Sequence, residues 1–160
     1  MDSARISSHF TSSLRDCRYR ALDAAGTDVA FPFGHGLGFS PFSYAWDTAP
    51  APFDNGSDGT GVRMAVALTN EGSVDGVEVM QVYSSFPESD GFPAAAKALK
   101  AFARVAVAAG ATVQVSLEVP AAGFMRWDNT AWGWKAAPGP YRLSVGGSSR
   151  DLRLTADVVV

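Results

Sequence analysis

Between Thr112 and Val119 apolar and polar residues alternate without an exception, with Val113, Val115, Leu117 and Val119 on one side and Thr112, Gln114, Ser116 and Glu118 on the other. A period of two is the mark of a strand with one buried face, and a helix would scatter these valines around its surface. Ala109, Gly110 and Ala111 open the segment and Pro120 ends it. The rhythm returns in Val62, Met64, Val66 and Leu68 against Arg63, Ala65, Ala67 and Thr69, and again in Tyr141, Leu143 and Val145 against Arg142 and Ser144. Leu152, Leu154, Ala156, Val158 and Val160 repeat it opposite Arg153, Thr155, Asp157 and Val159. Residues 76–84 are apolar on both faces apart from Glu78 and Gln81, which predicts a central strand covered on each side. A short strand is expected over 124–128, followed by turns over 129–133 and 138–140.

A chain of 160 residues that is 47% hydrophobic and 18% charged is long and apolar enough to bury a core. Its net charge of -3 contains no run of one sign, so nothing draws it to nucleic acid or to an anionic membrane. No window is apolar enough for a bilayer span, and the polar start, MDSARISSHFTSSLRD, has no signal-peptide core. Cys17 is the lone cysteine, which excludes an intrachain disulfide. His9 and His35 are the only imidazoles, too few for a histidine-based metal centre, and neither metal nor cofactor is expected.

Residues 31–44 read FPFGHGLGFSPFSY. Glycines at 34, 36 and 38 allow close approaches, Pro32 and Pro41 stiffen the chain, and Phe31, Phe33, Leu37, Phe39, Phe42 and Tyr44 are expected to bury their side chains in a packed connector. Residues 48–61 are rich in proline, glycine and aspartate and read as a loop. The segment 31–44 resembles the F-P-F-G-H-G-L-S-Y-T-x-F-x-Y stretch that, in glycoside hydrolase family 3, leads from the second catalytic domain into a fibronectin type III-like C-terminal domain. Gly38, Phe39 and Ser40 replace the usual S-Y-T. Tyr19, Arg20 and Asp23 stand where that family has G-Y-R-x-Y-D. Thr69, Asn70 and Gly72 match its T-N-x-G, and Glu78, Val79, Gln81 and Tyr83 its E-V-x-Q-x-Y. Pro138, Gly139, Tyr141, Val145, Gly146, Ser148, Ser149 and Asp151 match P-G-x-Y-x-x-x-V-G-x-S-S-x-D. Over 94–107 the alanines, lysines and leucines favour a helix, whereas Lys97, Leu99, Lys100, Phe102, Arg104 and Val105 match the family's extended P-x-K-x-L-K-G-F-x-R-V. The resemblance decides for extended chain, and Ala101 stands where the family usually has glycine.

The strands, about seven at sandwich-like spacing, and the resemblance agree on an all-β fold: an immunoglobulin or fibronectin type III-like antiparallel β-sandwich with an N-terminal arm and connector. The expected division is a polar arm over 1–17, the aromatic and glycine connector with its loop over 18–61, and the sandwich over 62–160. The resemblance implies a non-catalytic accessory module whose parent enzyme hydrolyses β-glucosides or β-xylosides, with the catalytic domains as partner. A free-standing module that binds polysaccharide or protein is the alternative. No position matches the family's catalytic motifs, and Glu78, Glu118, Asp128 and Asp151 fall on outer faces or in turns rather than as a facing pair. Phe31, Phe33, His35, Leu37 and Phe39 are the candidates for domain docking, with His35 expected to hydrogen-bond backbone in a tight turn. Trp127 and Trp132 are the candidates for sugar stacking. Trp134 is expected in the core, and Ser148, Ser149 and Asp151 are expected to satisfy turn backbone.

Overall fold

The computed structural model describes residues 19–24, 26–54, 56, 59–87 and 97–160. Among these residues a short helix, α1 (Tyr19–Ala24), precedes a connecting arm (residues 26–41), and nine strands follow: β1 (Phe42–Asp54), β2 (Thr60–Asn70), β3 (Gly76–Ser85), β4 (Ala98–Val107), β5 (Thr112–Val119), β6 (Met125–Asp128), β7 (Gly133–Ala136), β8 (Pro140–Gly146) and β9 (Leu152–Val159). Three form one sheet in the order β1-β2-β5, four form the other in the order β4-β3-β8-β9, and β6 and β7 pair only with each other. All pairings are antiparallel. The residues read as inward-facing make the core: Val62, Met64, Val66 and Leu68 of β2 and Val115, Leu117 and Val119 of β5 lie with Met80 and Val82 of β3 and Leu143 and Val145 of β8. Each such side chain contributes roughly 1.5–3 kcal/mol by leaving water. The expected all-β sandwich is the fold that forms.

Three local features differ from the sequence reading, and β4 agrees with it. The stretch expected as loop from Thr48 to Asp54 is the outer half of β1. Strand β1 has one neighbour, β2, and its register slips between Trp46 and Thr48 and between Thr48 and Ala51. An edge with such irregularities tolerates Pro50 and Pro52, which have no N–H to give. Strand β4 is extended as the family motif implied, because pairing with β3 outweighs the helix preference of its alanines. Its register skips Lys100, so a bulge lies beside Ala101. Strand β3 is covered on both faces only in its second half, and Val77 and Val79 are exposed. Finally, β7 forms within a segment read mainly as turns, and with β6 makes a hairpin outside both sheets.

Candidate functional site

The arm crosses the outer face of the four-stranded sheet and is tied down by polar contacts. Gln81 is 3% exposed, and its Nε2 donates to Gly34 O at 2.9 Å and Gly147 O at 2.7 Å. Its Oε1 accepts from the Tyr83 hydroxyl at 2.6 Å. Burial pushes that phenol's pKa well above its ordinary value, so the hydroxyl keeps its proton as a donor. Ser149 N donates to Phe33 O at 2.8 Å, and His35 N closes a turn on Pro32 O at 3.0 Å. Gly34 has φ of +79°, and a Cβ there would stand 2.0 Å from Gln81 Oε1. Gly36 and Gly38 have open space around them, so of the three glycines only Gly34 is needed for a close approach.

A second tie joins α1 to the sandwich. The Asp23 carboxylate lies 2.8 Å from Arg150 Nε and 3.2 Å from Lys97 Nζ, and Arg150 Nη2 donates to Thr27 O at 2.7 Å. Lys97 is therefore an ion-pair partner of Asp23. The Tyr19 ring stacks on Phe33 at 4.2 Å. Asp23→Ala is expected to cost roughly 1–3 kcal/mol in urea denaturation, because Arg150 and Lys97 lose a shared, largely buried counter-ion. A loss no greater than for an exposed pair such as Arg63 and Glu118 would show the tie to be idle.

Held in this way, the arm turns its apolar side chains outward. Phe31, Phe33, Leu37 and Phe39 are exposed, with Leu37 at 88%, while Phe42 enters the core and Tyr44 packs half-buried against it. The expectation of a self-packed connector is thus corrected: polar latches, not buried rings, fix it in place. Pro32, Phe33, Leu37, Val77, Val79 and Phe102 help line a groove of about 880 Å³ between arm and sheet. The His35 ring lies 5.2 Å from Phe31; the turn bond comes from the residue's own backbone.

Glu78 and Asp151 also border the groove. Each is bound locally: Glu78 Oε1 accepts from Val79 N at 3.2 Å, and Asp151 is gripped by Arg153 Nη2 at 2.7 Å and Nε at 3.0 Å. Ser148 Oγ accepts from Asp151 N at 3.0 Å and Arg150 N at 3.3 Å, the expected turn role. Glu118 pairs with Arg63 at 2.7 Å on the opposite sheet. Asp151 and Glu118 thus serve ion pairs, and Glu78 bonds the backbone amide next to it. Among the described residues no group of three or more His, Cys, Asp or Glu could hold a metal, and no helix is long and apolar enough to cross a membrane. His9 and Cys17 lie outside the described residues.

The β6–β7 hairpin is a second feature. Trp127 and Trp134 face each other across it, edge to face, with centroids 5.7 Å apart. Trp134 is 65% exposed and Trp132 80%, so the core position expected for Trp134 is a correction. Its cause is the separate hairpin, which carries Trp134 off the sandwich, while Ala137 is the buried residue at the hairpin's stem. The Tyr141 hydroxyl lies 3.1 Å from Phe124 O and 3.0 Å from Ala137 O, and accepts from Ala137 N at 2.8 Å. At the tip, Asp128 Oδ1 accepts from Thr130 N at 2.8 Å and Ala131 N at 3.1 Å, and Oδ2 pairs with Lys135 at 3.2 Å. Those backbone donors, with Lys135, lower the Asp128 pKa.

Comparison with known proteins agrees with this architecture. The family model "Fibronectin type III-like domain" matches residues 78–149. Probable beta-glucosidase D of Aspergillus niger is 34% identical over 156 residues, an alignment that covers 89% of this chain and 20% of that protein. The structure of DesR, a beta-glucosidase from Streptomyces venezuelae in complex with D-glucose, matches with a TM-score of 0.79 and 33% identity over 89% of this chain and 18% of that one. The GH3 beta-glucosidase of Bifidobacterium adolescentis matches with a TM-score of 0.73 and 28% identity over 89% of this chain and 20% of that one. The fold is therefore that of a fibronectin type III-like domain. More particularly, the chain is similar to the fibronectin type III-like region of family 3 β-glucosidases, and it spans about a fifth of the length of the curated relatives it matches. A match covering 89% of the 160 residues includes 31–44 wherever it starts, so the arm belongs to the shared region.

Proposed function

We propose that this chain is a non-catalytic docking module of a family 3 glycoside hydrolase, and that Phe31, Phe33, His35, Leu37 and Phe39 form the face that packs on the catalytic domains. One observation carries the reading. The arm is fixed by a buried glutamine and two ion pairs, yet it presents a row of large apolar side chains to water. Ordering a segment to expose apolar surface is unfavourable for an isolated domain and sensible for half of an interface. Val77, Val79 and Phe102 extend that face across the sheet. In the relatives the matched region is one part of a much longer chain, which supports catalytic domains as the partner. The parent activity proposed is hydrolysis of β-glucosides or β-xylosides. The chain alone is expected to turn over neither aryl β-glucoside nor aryl β-xyloside, and activity lost on changing one of its acids would overturn the reading.

The docking itself is tested by mixing the chain with a family 3 β-glucosidase truncated to lack the matching region. Co-elution and a raised melting temperature of the truncated enzyme are expected. The pair Leu37→Asp and Phe39→Asp should weaken the complex by at least about tenfold, since each side chain loses roughly 1.5–3 kcal/mol of burial. Binding unchanged by those substitutions would sink the assignment. A second ligand, carbohydrate, is favoured by the exposed tryptophans of the outer hairpin, which stand apart from the docking groove.

A further inference from the structure

We infer that the β6–β7 hairpin is a stacking site for a β-linked glucan chain, with Trp134 and Trp127 as its two walls and Trp132 at its lip. The ligand class rests on the reading of this chain as part of a β-glucoside hydrolase; the site rests on the hairpin. The chain has four tryptophans, and those at 127, 132 and 134 all fall on this one hairpin. None of the three is needed to close the core, because β6 and β7 belong to neither sheet and all three rings are exposed.

Trp132 adds an independent sign. Its φ is +49°, the one positive φ at a non-glycine residue among those described. A bulky side chain is costly in that region and glycine is not, so a turn selected for folding alone would not place an indole there. The platform is also rigid. The Tyr141 hydroxyl joins Phe124 O to Ala137 at the stem, Asp128 caps the tip, and the Trp127–Trp134 contact fixes the ring planes.

The chemistry of the patch selects its occupant. Indole faces pack against the axial C–H groups of a β-glucopyranose, whose equatorial hydroxyls stay free to bond outward. Asp128 and Lys135 pair at 3.2 Å, and Arg126, opposite Lys135, is half-buried with its Nη1 shielded from solvent, so the hairpin presents no cationic cluster to an anionic lipid surface or a polyanion. Three partly exposed rings, at about 150–250 Å² for a whole side chain, fall short of the roughly 800 Å² per partner of a stable protein interface. A neutral, hydroxyl-rich chain that stacks ring by ring fits these limits.

The test uses the full chain labelled with ¹⁵N, whose four indole N–H signals report the four tryptophans separately. Addition of millimolar cellohexaose is expected to move the signals of Trp127, Trp132 and Trp134 and to leave Trp46, which packs against the core, in place. Trp134→Ala should weaken binding about tenfold, the size of one lost aromatic contact. Trp132→Gly should weaken binding while raising the melting temperature, a pairing that a purely structural tryptophan would not give. No movement of the three signals, movement of Trp46 alone, full affinity in Trp134→Ala, or a response to phosphatidylglycerol vesicles in place of cellohexaose would each overturn the inference. Trp134→Ala should still co-elute with the truncated β-glucosidase. If the chain docks but does not bind cellohexaose, the sugar site falls and the docking module stands; failure to dock would remove the module reading whatever the sugar does.

Discussion

Gly146→Ala is expected to leave no stably folded protein, or one destabilised by more than about 4 kcal/mol. A Cβ on Gly146 would lie 1.8 Å from the backbone oxygen of Asp151, 2.8 Å from its carbonyl carbon and 2.9 Å from Leu152 Cα. All three are main-chain atoms with no flexible end to swing aside, so relief would require prising β8 from β9 at the point where their register already shifts. The same turn bonds Gly147 N to Asp151 O at 3.0 Å and carries Ser149, whose N–H holds the arm at Phe33. Loss of the fold should therefore begin where arm and sandwich meet. Gly36→Ala is the control, because a Cβ there meets nothing within 4 Å, and it should shift stability by no more than about 0.5 kcal/mol. Urea denaturation of the two variants decides the matter. A Gly146→Ala midpoint close to that of Gly36→Ala would mean that the close approach at Asp151 is not a constraint.

This contrast between glycines shows what the sequence discloses and what it hides. Alternation located β2, β5, β8 and β9, because one-sided burial writes itself as a period of two. It could not locate β1, since the prolines that signal a loop are also tolerated on an edge strand, and which strand lies at an edge is decided by pairing far along the chain. For β4, local preference pointed to helix and the family motif to strand; the motif was right because its lysines and phenylalanine answer to a neighbouring strand. The aromatic arm was legible as a feature but not in its role. Hydrophobicity says that Phe31, Leu37 and Phe39 want a cover, not whether the cover lies in this chain, and here they remain exposed. Trp134 was misread because the resemblance places a large apolar residue before Pro138 and Gly139 in the core, whereas here the hairpin carries that ring off the sandwich. Gln81 carried the clearest overlooked signal, an amide side chain in the middle of an apolar strand, which has to find partners if it is buried.

Those partners make Gln81→Leu the second large effect, expected to cost about 3–5 kcal/mol. Leucine fits the volume approximately but makes none of the amide's hydrogen bonds. Gly34 O and Gly147 O lose their donor, and the Tyr83 hydroxyl, buried and held in its protonated form, loses its acceptor. Each buried group left unpaired costs roughly 1–3 kcal/mol, whereas Tyr83→Phe removes one donor and leaves Gln81 its two carbonyls, so that variant should lose only about 1 kcal/mol. The distinguishing measurement is amide hydrogen exchange. In Gln81→Leu, protection at Ser149 N and His35 N should fall well before that of Val115 or Val145 in the core, because the latch opens locally while the sheets hold. Uniform loss of protection would show that Gln81 supports the sandwich as a whole and not the arm. Selective loss accompanied by weaker binding to the truncated β-glucosidase would tie the two halves together, since a docking face is useful only while its apolar row is presented in one fixed geometry, and one buried amide then fixes it for both.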